Sequence, residues 1–107
     1  MVKQQKEKGY SIEWAVSAKN SFFKSVEYVG LSSLQVASSV ISAVSKALDK
    51  AAANPEVYSP DKWKVNNNGL YRAFEVKNFR VVYKIISSKR IIKVIKFRHV
   101  RQYPLSY

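Results

Sequence analysis

The stretch LYRAFEVKNFRVVYKIISSKRIIKVIKFRH, residues 70–99, decides the fold of this chain. It contains three runs rich in β-branched and aromatic residues, which are Leu70–Val76, Phe79–Ile86 and Arg90–His99. Only two residues, Lys77-Asn78, join the first two runs, and asparagine readily takes the positive φ that a tight turn needs. Ser87-Ser88-Lys89 joins the last two. The sequence therefore predicts three consecutive strands connected by tight turns.

Two amphipathic helices are predicted before these strands. The first has apolar residues every three or four positions, with Ser17 as a cap and Gly30 as a stop; its stripe is Ala18, Phe22, Val26 and Val29. Ser32 or Ser33 would cap the second helix, and Asn54-Pro55 would end it; its stripe is Val36, Val40, Val44, Leu48 and Ala51. Together they form a helical hairpin from Ser17 to Asn54.

A short strand is predicted ahead of the hairpin, because Ile12, Trp14 and Val16 alternate with other residues. The predicted order is β-α-α-β-β-β, an α+β domain in which the helical hairpin packs on a small antiparallel sheet. We expect one domain over residues 10–107, preceded by a flexible basic tail at residues 1–9.

The charge is unevenly distributed along the chain. Lys and Arg number 19 against 7 Asp and Glu, a net charge of +12. Residues 1–61 are nearly balanced, whereas residues 62–107 contain 12 basic side chains and a single acid, Glu75. A field of that sign attracts polyanions, so a nucleic acid or an acidic protein is the expected partner.

Composition excludes several other classes of protein. The chain has no cysteine and one histidine, His99, so we expect no disulfide, no metal and no cofactor. Its apolar runs are shorter than the roughly 18 residues that span a bilayer. The N-terminal residues are charged with no apolar stretch behind them, unlike a signal peptide. These features predict a cytoplasmic protein that has no membrane partner.

Three segments carry a resemblance to a known family. Tyr71–Val76, Phe79–Ile85 and Arg98–Arg101, in this order and spacing, resemble the signature of the RelE/ParE superfamily of type II toxin–antitoxin toxins. In that family a tyrosine–arginine strand leads into an aromatic–arginine–hydrophobic–hydrophobic–tyrosine strand, and the last strand ends in a basic tail. The resemblance covers residues 10–104. It implies the fold already predicted and a cognate acidic antitoxin, bound in a toxin–antitoxin hetero-oligomer.

The resemblance implies one of two activities. RelE-type members cleave mRNA on the ribosome, whereas ParE-type members inhibit DNA gyrase and are not nucleases. We expect a RelE-like ribosome-dependent endoribonuclease, with the ribosome and mRNA as partners, and keep gyrase inhibition as the alternative. A third hypothesis, a nucleic-acid-binding module without toxin function, rests on the charge and on Trp63 among lysines.

The predicted site residues follow from what RNA cleavage needs. Attack by the 2′-hydroxyl requires a base, an acid and positive charge around the phosphate. The resemblance implies that the catalytic residues are Arg72, Arg80, His99 and Arg101. Arg72 and Arg80, on adjacent strands, are expected to converge, and Arg80 is expected to matter most. Alternation places each arginine on a mostly apolar face, Arg72 with Phe74 and Arg80 with Val82 and Ile86, where a charge needs a reason. The residues expected to bind nucleic acid are Lys62, Lys64, Arg98 and Tyr107.

The sequence also supplies arguments against this assignment. The arginines could instead bind the acidic segment of an antitoxin. Phe74 stands where the RelE pattern has a basic residue, and Val100 stands where many relatives have arginine. The helical hairpin is closer in length to ParE-type members than to compact ribosome-dependent ones.

Overall fold

A computed structural model describes residues 9–102 and 104–107 of the chain. Its elements follow the predicted order, so the α+β class is confirmed. The helices and strands are β1 Ser11–Trp14, α1 Val16–Ser32, α2 Leu34–Ala53, β2 Tyr71–Val76, β3 Phe79–Ile86 and β4 Ile91–His99. The tail predicted at residues 1–9 lies outside the described residues except for Gly9.

The first predicted helix is present, with different ends. α1 begins at Val16, one residue before the predicted cap Ser17, and no side chain caps it. Gly30 does not stop the helix, which continues to Ser32. A Cβ at Gly30 would be in van der Waals contact with Ala37 of α2, 3.7 Å away. This glycine therefore lies where the two helices approach each other.

Both ends predicted for α2 are confirmed. The Ser33 hydroxyl accepts a hydrogen bond from the backbone N–H of Val36 at 3.1 Å, which is an N-cap. The helix ends at Ala53, directly before Asn54-Pro55. The Pro55 carbonyl then accepts a 2.6 Å hydrogen bond from the hydroxyl of Tyr83, and this bond ties the end of α2 to β3.

The four strands form one sheet in the order β1-β4-β3-β2. The last three strands are antiparallel, as predicted. β1 instead pairs in parallel with β4, with Ser11 opposite Ile91, so the sheet is mixed rather than wholly antiparallel. The helical hairpin connects β1, at one edge of the sheet, to β2, at the other edge. β1 thus lies beside the last strand, β4, and runs in the same direction as β4.

The tight turn between β2 and β3 has the predicted geometry. Lys77 and Asn78 both have positive φ, at 51° and 71°, as in the hairpin turns whose twist matches that of the strands. The next connection is a short 3₁₀ turn over Ser87–Lys89, after which Arg90 has φ 53°. These two turns fix the register of the three strands.

The core lies between the helices and one face of the sheet. Phe22 of α1 packs edge-to-face on Phe97 of β4, with ring centroids 5.1 Å apart. The largest fully buried apolar side chains come from α2 and the central strands, and they are Val40, Val44, Val81, Tyr83, Ile92 and Val94. No helix among the described residues is long and apolar enough to cross a membrane.

Candidate functional site

The face of the sheet that points away from the helices carries two of the predicted site residues, Arg80 and Arg98. We call it the open face. Strand alternation places Tyr71 and Glu75 of β2, Arg80 and Lys84 of β3, and Lys96 and Arg98 of β4 on it. Residues 57–70 and 104–107 flank this face, joined to each other by hydrogen bonds between Val65 and Tyr107 at 2.7 Å and between Tyr107 and Trp63 at 3.2 Å.

Arg80 lies on the open face near the β2–β3 turn, in a buried ion pair. It is 8% exposed, and its Nη2 donates to Asp61 Oδ1 at 2.6 Å, where Asp61 is 2% exposed. Its Nη1 donates to Glu75 Oε2 at 2.9 Å. Its Nε is buried without a hydrogen-bond partner. Two carboxylates therefore neutralise the guanidinium that the sequence predicted as the main phosphate ligand.

Tyr107 completes this network from the other side of Asp61. Its hydroxyl donates to Asp61 Oδ2 at 2.6 Å, and its ring packs edge-to-face on Tyr71. Burial raises the pKa of Tyr107 above its ordinary value, and the hydrogen bond to Asp61 raises it further. The phenol therefore stays protonated, with its proton directed at the carboxylate.

Asp61 is held as a carboxylate despite its burial. Burial alone would raise the pKa of Asp61, but hydrogen bonds from Arg80, Tyr107 and the Trp63 backbone, with the positive charge of Arg80, outweigh that effect. The pKa of Asp61 consequently lies below its ordinary value. Asp61, which lies in the loop before β2, therefore links that loop to β3 and to residues 104–107.

Arg72 does not converge with Arg80. It faces the helices with Phe74, on the opposite side of the sheet. Its Nε donates to the Gly69 carbonyl at 2.9 Å, and its Nη1 donates to the carbonyls of Tyr58 at 2.8 Å and Glu56 at 3.3 Å. The guanidinium thus stabilises the backbone of the loop that leads into β2.

His99 and Arg101 lie at a third place, the end of β4. His99 packs edge-to-face on Phe79, with ring centroids 5.4 Å apart, on the helix side of the sheet. Its Nδ1 accepts a hydrogen bond from the Arg101 N–H at 3.0 Å, so the neutral ring carries its proton on Nε2. Arg101 is exposed. The structure therefore distributes the four predicted catalytic residues over three places instead of bringing them together.

Two of the four residues predicted to bind nucleic acid, Lys64 and Tyr107, come together. Lys64 lies over the rings of Tyr71 at 4.8 Å and Tyr107 at 5.4 Å. Lys84 lies 5.3 Å from the Tyr71 ring and Lys96 lies 4.7 Å from the Tyr107 ring. These five residues form a cluster of cations around two aromatic rings, which we call the lysine–tyrosine cluster.

Lys62 and Arg98 lie beside this cluster. Lys62 contacts the ring of its neighbour Trp63 at 5.4 Å. Arg98 pairs across the sheet with Arg80, but its Nη1 donates to the carbonyls of His99 and Gln102. Arg98 therefore stabilises the fold-back of the chain after β4.

Sequence reasoning did not predict Tyr71, Lys84 and Lys96 of the cluster. It also missed two acidic residues of the site, Asp61 and Glu75. A signal was present: they are the only acids after residue 56 in an otherwise strongly basic segment. An acidic residue in such a segment has many basic residues with which it can pair, and Asp61 and Glu75 both contact Arg80. Their pairing could not be inferred from spacing, since Asp61 belongs to a loop 19 residues before its partner.

The arrangement of charged and aromatic groups on the open face suits the binding of an anionic partner. Among the described residues, no group of three or more His, Asp or Glu side chains could hold a metal ion. The site offers a neutralised arginine, a phenol hydrogen-bonded to a carboxylate, and partly exposed lysines. These groups can attract an anionic partner and hold aromatic or acidic groups against the open face.

Comparison with known proteins agrees with the fold. The family model described as the ParE toxin of the type II toxin–antitoxin system parDE matches residues 12–104. No curated protein sequence matches the chain.

Solved structures of RelE toxins are similar in fold. E. coli RelE bound to a peptide of its antitoxin RelB is 17% identical, with a TM-score of 0.62 over 85% of this chain and 83% of that chain. Isolated E. coli RelE is 18% identical, with a TM-score of 0.60 over 88% and 87%. The RelBE2 toxin–antitoxin complex of Mycobacterium tuberculosis is 12% identical, with a TM-score of 0.57 over 85% and 98%.

Proposed function

Because the chain belongs to the family of ParE toxins of type II toxin–antitoxin systems, we propose that it arrests growth by inhibiting DNA gyrase, without cutting RNA. It acts by binding in the cytoplasm, where gyrase works. This choice reverses the preference drawn from the sequence alone, which favoured mRNA cleavage.

The two ion pairs of Arg80 are the main support for this proposal. A nuclease needs an arginine whose guanidinium is available to the phosphate. Here Asp61 and Glu75 hold both terminal nitrogens of Arg80 at 2.6 and 2.9 Å, and Asp61 is almost fully buried. A phosphate approaching Arg80 would also meet the two carboxylates and be repelled by them. Arg80 consequently serves the fold.

The remaining predicted catalytic residues support the same conclusion. A general base, a general acid and a cation must lie around one phosphate to cleave RNA. Arg72 lies on the helix side of the sheet in contact with backbone carbonyls, and His99 lies at the end of β4. Tyr107 directs its proton at Asp61. No described set of these groups surrounds a common point.

One observation favours mRNA cleavage as the second candidate function. The lysine–tyrosine cluster presents Lys64, Lys84 and Lys96 around two tyrosine rings on the open face. Cations and aromatic rings in alternation suit a single strand, because bases stack on rings while lysines contact phosphates. In the gyrase proposal the same cluster contacts an acidic surface of the enzyme.

The charge distribution supports an acidic antitoxin as the regulator. The basic half of the chain, residues 62–107, contains all three strands from β2 to β4. An acidic partner that covers this half would neutralise the field and block access to the target at once. The RelE toxin of E. coli has been solved in complex with a peptide of its antitoxin RelB.

Induction in a bacterial host tests this proposal. Expression of the chain alone should stop growth and induce the DNA-damage response, while incorporation of labelled amino acids continues during the first minutes. Co-expression of the antitoxin should restore growth. Immediate loss of protein synthesis without a DNA-damage response would contradict gyrase inhibition and favour mRNA cleavage.

A further inference from the structure

A pocket of about 480 Å³ lies beside His99, between α1, the start of α2 and the β2–β3 turn. Its lining includes Val29, Val36 and Phe79 as apolar residues, and Lys24, Lys77 and His99 as basic ones. We call it the His99 pocket. Its volume falls within the range of roughly 300–1000 Å³ that ligand sites have. It lies apart from Arg80 and the lysine–tyrosine cluster.

The floor of the His99 pocket is aromatic and rigid. The Phe79 ring stacks on Phe97 with centroids 5.0 Å apart, and it meets His99 edge-to-face. The backbone N–H of Val100 donates to the Asn78 carbonyl at 2.9 Å, so the end of β4 is fixed to the β2–β3 turn. A pre-formed floor lowers the entropy cost of binding an apolar group.

Apolar residues at the edge of the pocket are unusually exposed. Tyr28 is 75% exposed and Val36 is 50% exposed, and both belong to its lining. Together with Val29 they continue the apolar floor out to the surface. Exposed apolar surface next to a pocket is typical of a site that a partner covers.

The rim of the pocket is basic. Lys24 and Lys77 lie on opposite sides, one on α1 and one in the turn, and no Asp or Glu occurs among the described lining residues. His99 adds a donor, because its Nδ1 accepts from Arg101 and its Nε2 therefore carries the proton. An occupant with carboxylates near its apolar group would find two cations and one hydrogen-bond donor.

We infer that the His99 pocket receives an apolar side chain of an acidic antitoxin segment, with flanking carboxylates held by Lys24 and Lys77. The inference rests on the proposed function for the existence of the antitoxin, and it adds the place and chemistry of its anchor. Charge complementarity selects this occupant, since an apolar segment without acids would leave the basic rim unpaired. A buried apolar anchor with charged neighbours is a usual form of a binding hot spot.

Model peptides on the purified chain test the inference without requiring toxicity. The probe is acetyl-Glu-Phe-Glu-amide, with acetyl-Gln-Phe-Gln-amide and acetyl-Glu-Ala-Glu-amide as controls, titrated while amide NMR shifts are recorded. Shifts should concentrate at the pocket, and both controls should bind about five- to tenfold more weakly. Equal binding of the glutamine peptide, or shifts centred on the open face, would overturn the inference.

Charge reversal supplies the matched variants. Lys24→Glu and Lys77→Glu should each weaken the first peptide several-fold, whereas Lys89→Glu, an exposed lysine at the other end of β3, should leave it unchanged. The same variants should lose rescue by antitoxin in cells while remaining toxic. Variants that keep rescue, or that lose toxicity instead, would show that the pocket does not anchor the antitoxin. Absence of toxicity in the unmodified chain would contradict only the proposed function.

Discussion

Arg80 shows how a buried charge can depend on a partner that is distant in the sequence. Its position among Val82 and Ile86 predicted a functional arginine, because an apolar face gives a charge no reason to be there. The reason is instead Asp61, which comes from a loop and pairs with it at 2.6 Å. A buried ion pair supports the stability of the fold mainly when both partners are present, since either partner alone is an uncompensated buried charge.

We therefore predict that Arg80→Ala destabilises the protein by about 3 kcal/mol or more, because Asp61 is left buried and unpaired. Urea unfolding followed by circular dichroism measures the loss. Arg98→Ala, which removes a partly exposed arginine opposite Arg80, should cost much less.

The double variant Arg80→Met with Asp61→Asn should recover most of the stability lost in Arg80→Ala, because it removes both charges. An Arg80→Ala protein as stable as the unmodified chain would mean that the ion pair contributes nothing to the fold. Arg80 would then again be available for catalysis.

Because Asp61 is ionised and paired in the folded state, the free energy of unfolding should fall in acid. Its folded-state pKa is lowered, so its contribution is complete above the unfolded-state value near pH 4 and is lost as the pH falls through the folded-state pKa. Below about pH 4 the unmodified chain should lose stability more steeply than Asp61→Asn. Thermal unfolding across an acidic pH series compares the two, and parallel curves would contradict the assigned ion pair.

At the scale of elements, most of the fold could be predicted from periodicity. The stripe on α2, the cap at Ser33, the stop at Asn54-Pro55 and the Lys77-Asn78 turn follow from local chemistry, and all are confirmed. The parallel pairing of β1 with β4 was not predictable, because strand order depends on how the helical hairpin crosses the sheet. Local patterns contain little information about that crossing.

The candidate site was less predictable for the same reason. Its contacts join positions far apart in the chain, such as Asp61 with Tyr107 and Arg72 with Glu56. Alternation did place Arg72 with Phe74 and Arg80 with Val82 on the correct faces. The expectation that Arg72 and Arg80 converge was wrong, because Arg72 pairs with Tyr83, which lies three positions from Arg80 on β3, so the two arginines face opposite sides of the sheet.

The β2–β3 turn offers a test at the element scale. Asn78 has φ 71°, which costs a non-glycine, non-asparagine residue roughly 1 kcal/mol or more. Asn78→Ala should lower the free energy of unfolding by about that amount, whereas Asn78→Gly should match or exceed the unmodified chain. Equal losses in both variants would indicate that a contact of the asparagine side chain, rather than its backbone conformation, stabilises the turn.

At the scale of the whole molecule, charge divides the protein into a nearly neutral half and a basic half. The basic half includes β2, β3 and β4, and the near-neutral half supplies both helices. Such a field accelerates the encounter with an acidic partner over long distances, and dissolved salt screens it.

The association rate with the antitoxin should therefore fall about tenfold or more between low and high salt. The dissociation rate should change less, because dissolved salt does not screen the apolar contacts of the antitoxin side chain in the His99 pocket. Stopped-flow mixing at a series of salt concentrations gives both rates. An association rate independent of salt would remove the electrostatic part of this account.

The supercoiling reaction of purified DNA gyrase tests the central claim most directly. Added in excess, the chain should block supercoiling of relaxed plasmid, and the antitoxin should reverse the block. In parallel, programmed ribosomes mixed with the chain should keep their mRNA intact. Cleaved mRNA together with unimpeded supercoiling would contradict the account and show that the toxin is a nuclease despite the buried pairing of Arg80.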